Sequence, residues 1–122
     1  MGWKFTSDRP VYIQIEHHIK NDIISGLYKG EQQIPSVRQL AVEAGVNPNT
    51  VQRALSELES EGILVSETTS GRFVTSDEKI LSKLRIDEAN DLIERMISGA
   101  KGLGLSKEEI LKKIDESEGW DK

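Results

Sequence analysis

Apolar residues recur along this chain with two spacings, and the change from one to the other marks its elements. Tyr12, Ile15, Ile19 and Ile23 stand three and four residues apart between Pro10 and Ser25, the spacing that lines one face of a helix, and Ser25-Gly26 ends it. Leu27 to Gln33 reads as a polar turn, and Ile34 as a short edge strand. Val37, Leu40, Ala41 and Ala44 repeat the helical spacing after an extended approach at Pro35 and a capping candidate at Ser36, and Gly45-Val46 then makes a tight corner. Val51, Ala54, Leu55 and Leu58 give a third stripe. Its start is marked by Asn47 as N-cap and by Pro48 at the first helical position, where a missing N–H costs nothing. Gly62 stands just past its end. The spacing then shortens: Ile63, Leu64 and Val65 predict a buried strand, Glu67 to Gly71 a turn, and Arg72, Phe73 and Val74 the returning strand.

From Ser76 onward the pattern is helical again. Ile80, Leu81, Leu84, Ala89, Leu92, Ile93, Met96 and Ile97 fall largely on one stripe, which Gly99, Gly102 and Gly104 are expected to break. Ser106 and Glu109 predict a capping box, with Leu105 and Ile110 as its hydrophobic staple, before a last helix whose apolar side is Ile110, Leu111 and Ile114. Two helices cannot bury stripes of this size on each other alone, and exposed apolar area on that scale marks an interface. Residues 77–122 are therefore expected to form a helical tail whose hairpin, 77–118, pairs two copies of the chain. The ten residues just named outside Ala89, Leu105 and the glycines (Ile80, Leu81, Leu84, Leu92, Ile93, Met96, Ile97, Ile110, Leu111 and Ile114) are the expected pairing positions.

Two short helices joined by a tight corner and followed by a Gly-centred hairpin are the order a winged helix-turn-helix needs to enter a DNA groove. The fold expected is thus mainly α with a small β wing, a winged helix-turn-helix over residues 1–76 followed by the dimerisation hairpin. The third helix supports a reading role, because its open side carries Asn49, Thr50, Gln52, Arg53 and Ser56, polar but hardly charged. An ordinary solvated face would carry Glu and Lys pairs, whereas Asn, Gln, Arg and Thr are the side chains that meet base edges. Glu57, Glu59 and Glu61 come only in the last turns. Asn47 serves either as cap or as base contact, and Arg38, in the first turn of the second helix, is placed to reach a phosphate. Thr68-Thr69-Ser70-Gly71-Arg72 forms the wing tip, with small hydroxyls, a permissive glycine and one cation.

Charge tempers this picture. The chain of 122 residues has a net charge of -5, and residues 1–76 hold seven Lys or Arg against nine Asp or Glu. Phosphate neutralisation dominates sequence-independent affinity, so non-specific binding is expected to be weak, with specificity resting on Arg38, Arg53 and Arg72, doubled in a dimer. Without cysteine, neither disulfides nor thiolate metal sites arise. No run approaches ~20 apolar residues and no signal-peptide core opens the chain, so a cytoplasmic protein without membrane segments is expected. Adjacent His17 and His18 point about 100° apart on a helix and cannot share a metal. No convergent nucleophile and base and no Gly-rich phosphate loop are found, so neither catalysis nor a cofactor is expected. Trp3 and Trp120 are expected to cover apolar edges, a small pocket lined by Trp3 with Phe5 being the alternative for the first.

Arg9 to Val74 resembles the DNA-binding domain of the GntR family of bacterial transcription regulators, and the runs PSVRQLA and GVNPNTVQRAL are similar to its small YtrA-like branch. The resemblance implies that Ser36 and Arg38, Asn47, Pro48, Asn49, Thr50, Gln52 and Arg53, and Ser70, Gly71 and Arg72 face DNA. It also implies a short helical tail in place of a large ligand-binding domain. Pro48 and Gln52 stand where many members carry Arg, so the operator preference of those members does not transfer, and Thr68, Thr69 and Ser70 stand where basic residues are common, so a strong wing contact is not implied. The function expected is a homodimeric repressor on a double-stranded DNA operator. A winged-helix module for protein contacts is the alternative, and control by a small-molecule effector is left open.

Overall fold

The computed structural model describes residues 2–67 and 71–121. Among them run α1 (Val11–Ile24), α2 (Val37–Ala44), α3 (Pro48–Ser60), β1 (Leu64–Glu67), β2 (Gly71–Val74), α4 (Glu78–Gly102), α5 (Lys107–Glu116) and a 3-10 turn (Glu118–Asp121). They form two compact units, Met1–Glu88 and Ala89–Lys122.

The core of the first unit is the meeting of the predicted stripes. Ile15, Ile19 and Ile23 of α1 cluster with Leu40 and Ala41 of α2 and with Val51, Ala54, Leu55 and Leu58 of α3. Ile15, Val51, Ala54 and Leu58 are all 0% exposed. At about 1.5–3 kcal/mol for each large aliphatic side chain removed from water, this seam fixes the angle at which α3 is presented. Both helices that frame the seam close in the same way. Gly62 is left-handed at φ 80°, its N–H donates to Glu59 O (2.9 Å), and the Ile63 N–H reaches Leu58 O (3.0 Å), a Schellman closure. Gly26 and Leu27 do the same for α1, donating to Ile23 O and Asp22 O.

That closure moves the hairpin by one residue. Ile63 was expected to open the first strand, but its N–H is already engaged by α3, so pairing begins at Leu64, opposite Val74, and runs to Glu67 opposite Gly71. Ile63 stays buried all the same. The edge expected at Ile34 is centred one residue earlier, on a bridge between Gln33 and Phe73, with the Ile34 N–H donating to Arg72 O (3.0 Å).

The opening turns of α4 belong to this unit. Leu84 is 4% exposed within the core, and Ile80 and Leu81 pack against it. Glu88 accepts from His17 Nδ1 at 2.8 Å and lies 3.9 Å from Lys20. Ile80, Leu81 and Leu84, expected among the pairing positions, are thus covered within their own unit, Leu84 fully and Ile80 and Leu81 in part. An amphipathic stripe specifies that a face is covered, not by what. Trp3 is stacked on His18 (3.6 Å between centroids, 8° between planes) and packs with Phe5 against the core, while its backbone N–H donates to Ala44 O.

In the second unit α4 continues through Gly99, ends on Gly102 and is closed by Gly104 two residues on. Of the three glycines expected to break it, Gly99 alone lies within the helix. A helical Gly costs only ~1 kcal/mol, whereas termination needs a left-handed residue, which Gly104 supplies at φ 79° while the Leu105 N–H donates to Ala100 O (3.0 Å). Ser106 and Glu109 form the predicted capping box of α5. None of the described residues of this unit is buried. Leu92 is 67% exposed, and Ile93, Met96, Ile97 and Leu111 are exposed as well, with Ile110 and Ile114 half-buried. Trp120, 75% exposed, is tied down by its indole N–H on Ile114 O (3.1 Å).

Candidate nucleic-acid interface

The polar side of α3 is turned out by the burial of the other. Val51, Ala54, Leu55 and Leu58 face the core, so Asn49, Gln52 and Arg53 are exposed and Thr50 half-buried. Pro48 occupies the first turn, and Asn47 Oδ1 accepts the Asn49 N–H at 2.8 Å. That bond answers part of the choice left open for Asn47. Its carbonyl oxygen caps its own helix, and only the amide NH2 is left for an outside acceptor. Gln52 Nε2 donates to Ser56 Oγ at 3.1 Å, one turn further along the same side.

Ser36 and Arg38 sit at the start of α2. Ser36 Oγ accepts from the Gln39 N–H (3.1 Å) and Gln39 Oε1 accepts from the Ser36 N–H (2.8 Å), a capping box the sequence reading had reduced to Ser36 alone. Arg38 is exposed in the first turn, where unpaired helix amides add their own attraction for an anion. Ser36, Gly71 and Arg72 line one cavity of about 600 Å3 between the start of α2 and the base of the wing, together with Gln33, Pro35 and Gln39. Ser70 lies outside the described residues, as do Thr68 and Thr69. Gly71 is required by its backbone: at φ 99° any side chain would be strained, and a Cβ there would lie 2.8 Å from Gln33 Nε2.

The three cations expected to meet DNA are held differently. Arg38 is open to solvent. Arg53 is laid over Tyr12 of α1, its guanidinium carbon 3.8 Å from the ring centroid and Nη2 donating to the tyrosine hydroxyl at 3.1 Å. Arg72, half-buried, donates from Nε to Glu59 of α3. This pairing ties the wing to the reading helix and offsets part of the Arg72 charge. Neither Tyr12 nor Glu59 was singled out in the sequence as a site residue. Tyr12 was read only as part of a stripe, although a polar-tipped aromatic at the stripe's outer end was the available signal. Nothing in the spacing of Glu59 and Arg72 foretold their meeting.

The hydrogen bond from Arg72 holds the Glu59 carboxyl below its ordinary 4.5, with a smaller contribution from Ser66. A carboxylate whose folded pKa is depressed stabilises the fold above its unfolded value, and that stabilisation is lost as pH falls through the folded value. Thermal melts of wild type and Glu59→Gln across the acid range should therefore converge as pH drops below 4.5. Parallel curves would mean that the pair does not hold the wing.

A short helix, a corner, a second helix with an uncharged polar face and one cation, and a hairpin tied to that helix define a winged helix-turn-helix of the DNA-reading class. Comparison with known proteins agrees. Residues 11–74 match the model of "Bacterial regulatory proteins, gntR family", and the chain belongs to that family. It is 34% identical over 114 residues to the "Uncharacterized HTH-type transcriptional regulator YhcF" of Bacillus subtilis (strain 168), covering 93% of this chain and 94% of the relative. With the "HTH-type transcriptional repressor YtrA" of the same organism it shares 32% over 111 residues, 90% of this chain and 85% of the relative. Among solved structures, the "GntR family transcriptional regulator from Listeria monocytogenes" superposes with a TM-score of 0.80 at 37% identity, covering 93% of this chain and all (100%) of that one. The DNA-binding domain of AraR, solved "in complex with operator ORE1", matches with a TM-score of 0.54 at 30% identity, over 62% of this chain and 93% of that one. The protein is a DNA-binding transcription regulator of the YtrA-like branch. The alternative of a winged-helix module for protein contacts is thereby set aside. No helix among the described residues is long and apolar enough to cross a membrane.

Proposed function

We propose that the protein is a homodimeric, cytoplasmic repressor that occupies a two-fold symmetric operator and keeps polymerase from the promoter. The observation that carries this reading is the exposed side of α3, where Asn49, Gln52 and Arg53 present donors and acceptors while every large apolar side chain of the helix is buried behind them. Asn49, Thr50, Gln52 and Arg53 read base edges in the major groove. Ser36, Arg38 and the Gly71 amide hold the backbone on either side, and Arg72 orients the wing. Residues 1–76 do the reading and 77–122 the pairing, with the opening turns of α4 anchored in the reading unit. Leu92, Ile93, Met96 and Ile97 of α4, with Ile110, Leu111 and Ile114 of α5, close against a second copy. The name of the YtrA relative, a repressor, and the AraR domain solved on its operators support the direction of control and the target.

Arg53→Ala should weaken binding by about 1–3 kcal/mol and relax preference at a single base pair, as loss of a bidentate base contact does. Titration of duplexes varied one base pair at a time checks this. A uniform loss on every duplex would make Arg53 a phosphate clamp. For repression itself, transcription reconstituted from a promoter overlapped by a duplex that the protein selects should fall as protein is added. Unchanged output would contradict repression, and raised output would make the protein an activator.

A further inference from the structure

We infer that Tyr12, outside the reading helix, is a positioning residue that sets the pose in which Arg53 meets DNA. The inference rests on the base-reading role given to Arg53 above. Arginine carries a long stem with many rotamers, and an exposed one searches most of them unless something holds it. Here the holder is a ring: the guanidinium lies 3.8 Å over the Tyr12 centroid, and Nη2 donates to the hydroxyl at 3.1 Å.

The choice of holder matters chemically. Arg72 is held by the carboxylate of Glu59, which offsets part of its charge. A tyrosine holds Arg53 by its ring quadrupole and one neutral acceptor, so the full positive charge remains. Of the five guanidinium N–H groups, four are left for a base edge or phosphate. Stacking on one face also leaves the donor fork in the guanidinium plane open. The holder is itself fixed. Tyr12 stands in the first turn of α1, one turn before Ile15, which is 0% exposed, and it packs against the core that joins α1 to α3. The pose of Arg53 is therefore inherited from the packing of the unit, and the ordering cost is met before DNA arrives.

The test is a double-mutant cycle on a duplex selected from random sequence by the wild-type protein, with a scrambled duplex beside it. Tyr12→Leu should weaken the selected duplex on the order of 5-fold, the scale of one exposed cation–π contact plus a hydrogen bond, and flatten preference at the base pair that Arg53 reads. Tyr12→Phe, which keeps the ring, should lose no more than about 2-fold. In an Arg53→Ala background Tyr12→Leu should have no further effect. An equal loss in both backgrounds, or no loss in either, would overturn the inference. Should Arg53→Ala weaken selected and scrambled duplexes alike, base reading fails while non-additivity with Tyr12 still upholds the positioning. A second readout needs no DNA: the Arg53 side-chain protons should show ring-current shifts in the NMR spectrum of wild type and of Tyr12→Phe. Ordinary random-coil shifts in the wild type would overturn the inference even if Tyr12→Leu failed to fold.

Discussion

Leu92→Glu combined with Met96→Glu should abolish the proposed dimer and weaken binding to a two-fold operator by about 10²–10⁴-fold, with the reading unit intact. The two residues stand four apart on α4, so they share a face, and they are 67% and 42% exposed in the single chain. Neither is buried in its own unit, so the substitutions leave the monomer's core untouched. In a dimer closed by two-fold symmetry both copies would bring both carboxylates to the same apolar patch. Burying unpaired charge costs several kcal/mol for each group, so a patch that closes apolar side chains against each other should no longer pair. The loss on DNA is large because each half-site binds weakly alone: with two acidic residues more than basic ones in residues 1–76, little non-specific attraction remains to compensate. Sedimentation and operator titration read the two effects separately. A variant that still sediments as a dimer would move the pairing surface elsewhere.

Leu58→Ala should destabilise the protein by about 2–5 kcal/mol, the range for leucine deletion in a packed core. Leu58 is 0% exposed where α3 meets α1, and its carbonyl is the one that Ile63 uses to close the helix. Against a typical total of about 5–15 kcal/mol, that is a large fraction of what holds the reading helix in place. In denaturant the midpoint should drop sharply, and specific DNA binding should fail with it. Leu103→Ala, at a residue 82% exposed, should stay within about 0.5 kcal/mol. Similar effects from the two substitutions would show that the α1–α3 seam does not carry the fold.

Local chemistry was the legible part of this chain. Asn47-Pro48 and Gly62 announce the ends of α3 because a cap, a missing N–H and a left-handed turn each have few residues that suit them. Ile15, Ile19 and Ile23 likewise declare which side of α1 is covered. What stayed hidden depended on partners far along the chain. Ile63 is apolar in either role, so its N–H could be assigned to α3 rather than to the strand only once the closure was seen. Leu84 looked like the rest of its stripe, yet it is buried among core residues of the first unit while Leu92 is exposed. In the site, the side of α3 could be read from periodicity, but Arg53 and Tyr12 are 41 residues apart, and Arg72 and Glu59 are 13 apart. Pairings across such distances follow from how helices pack, and spacing alone does not encode them.

Whether two copies present α3 to one duplex is tested most directly by selecting bound fragments from a pool of random double-stranded DNA with the chain of 122 residues, at two salt concentrations. The expected outcome is a two-fold symmetric sequence with half-sites about one helical turn apart or more, bound by two copies and released steeply as salt rises. A pool that never enriches, or a lone asymmetric half-site bound by one copy, would contradict it.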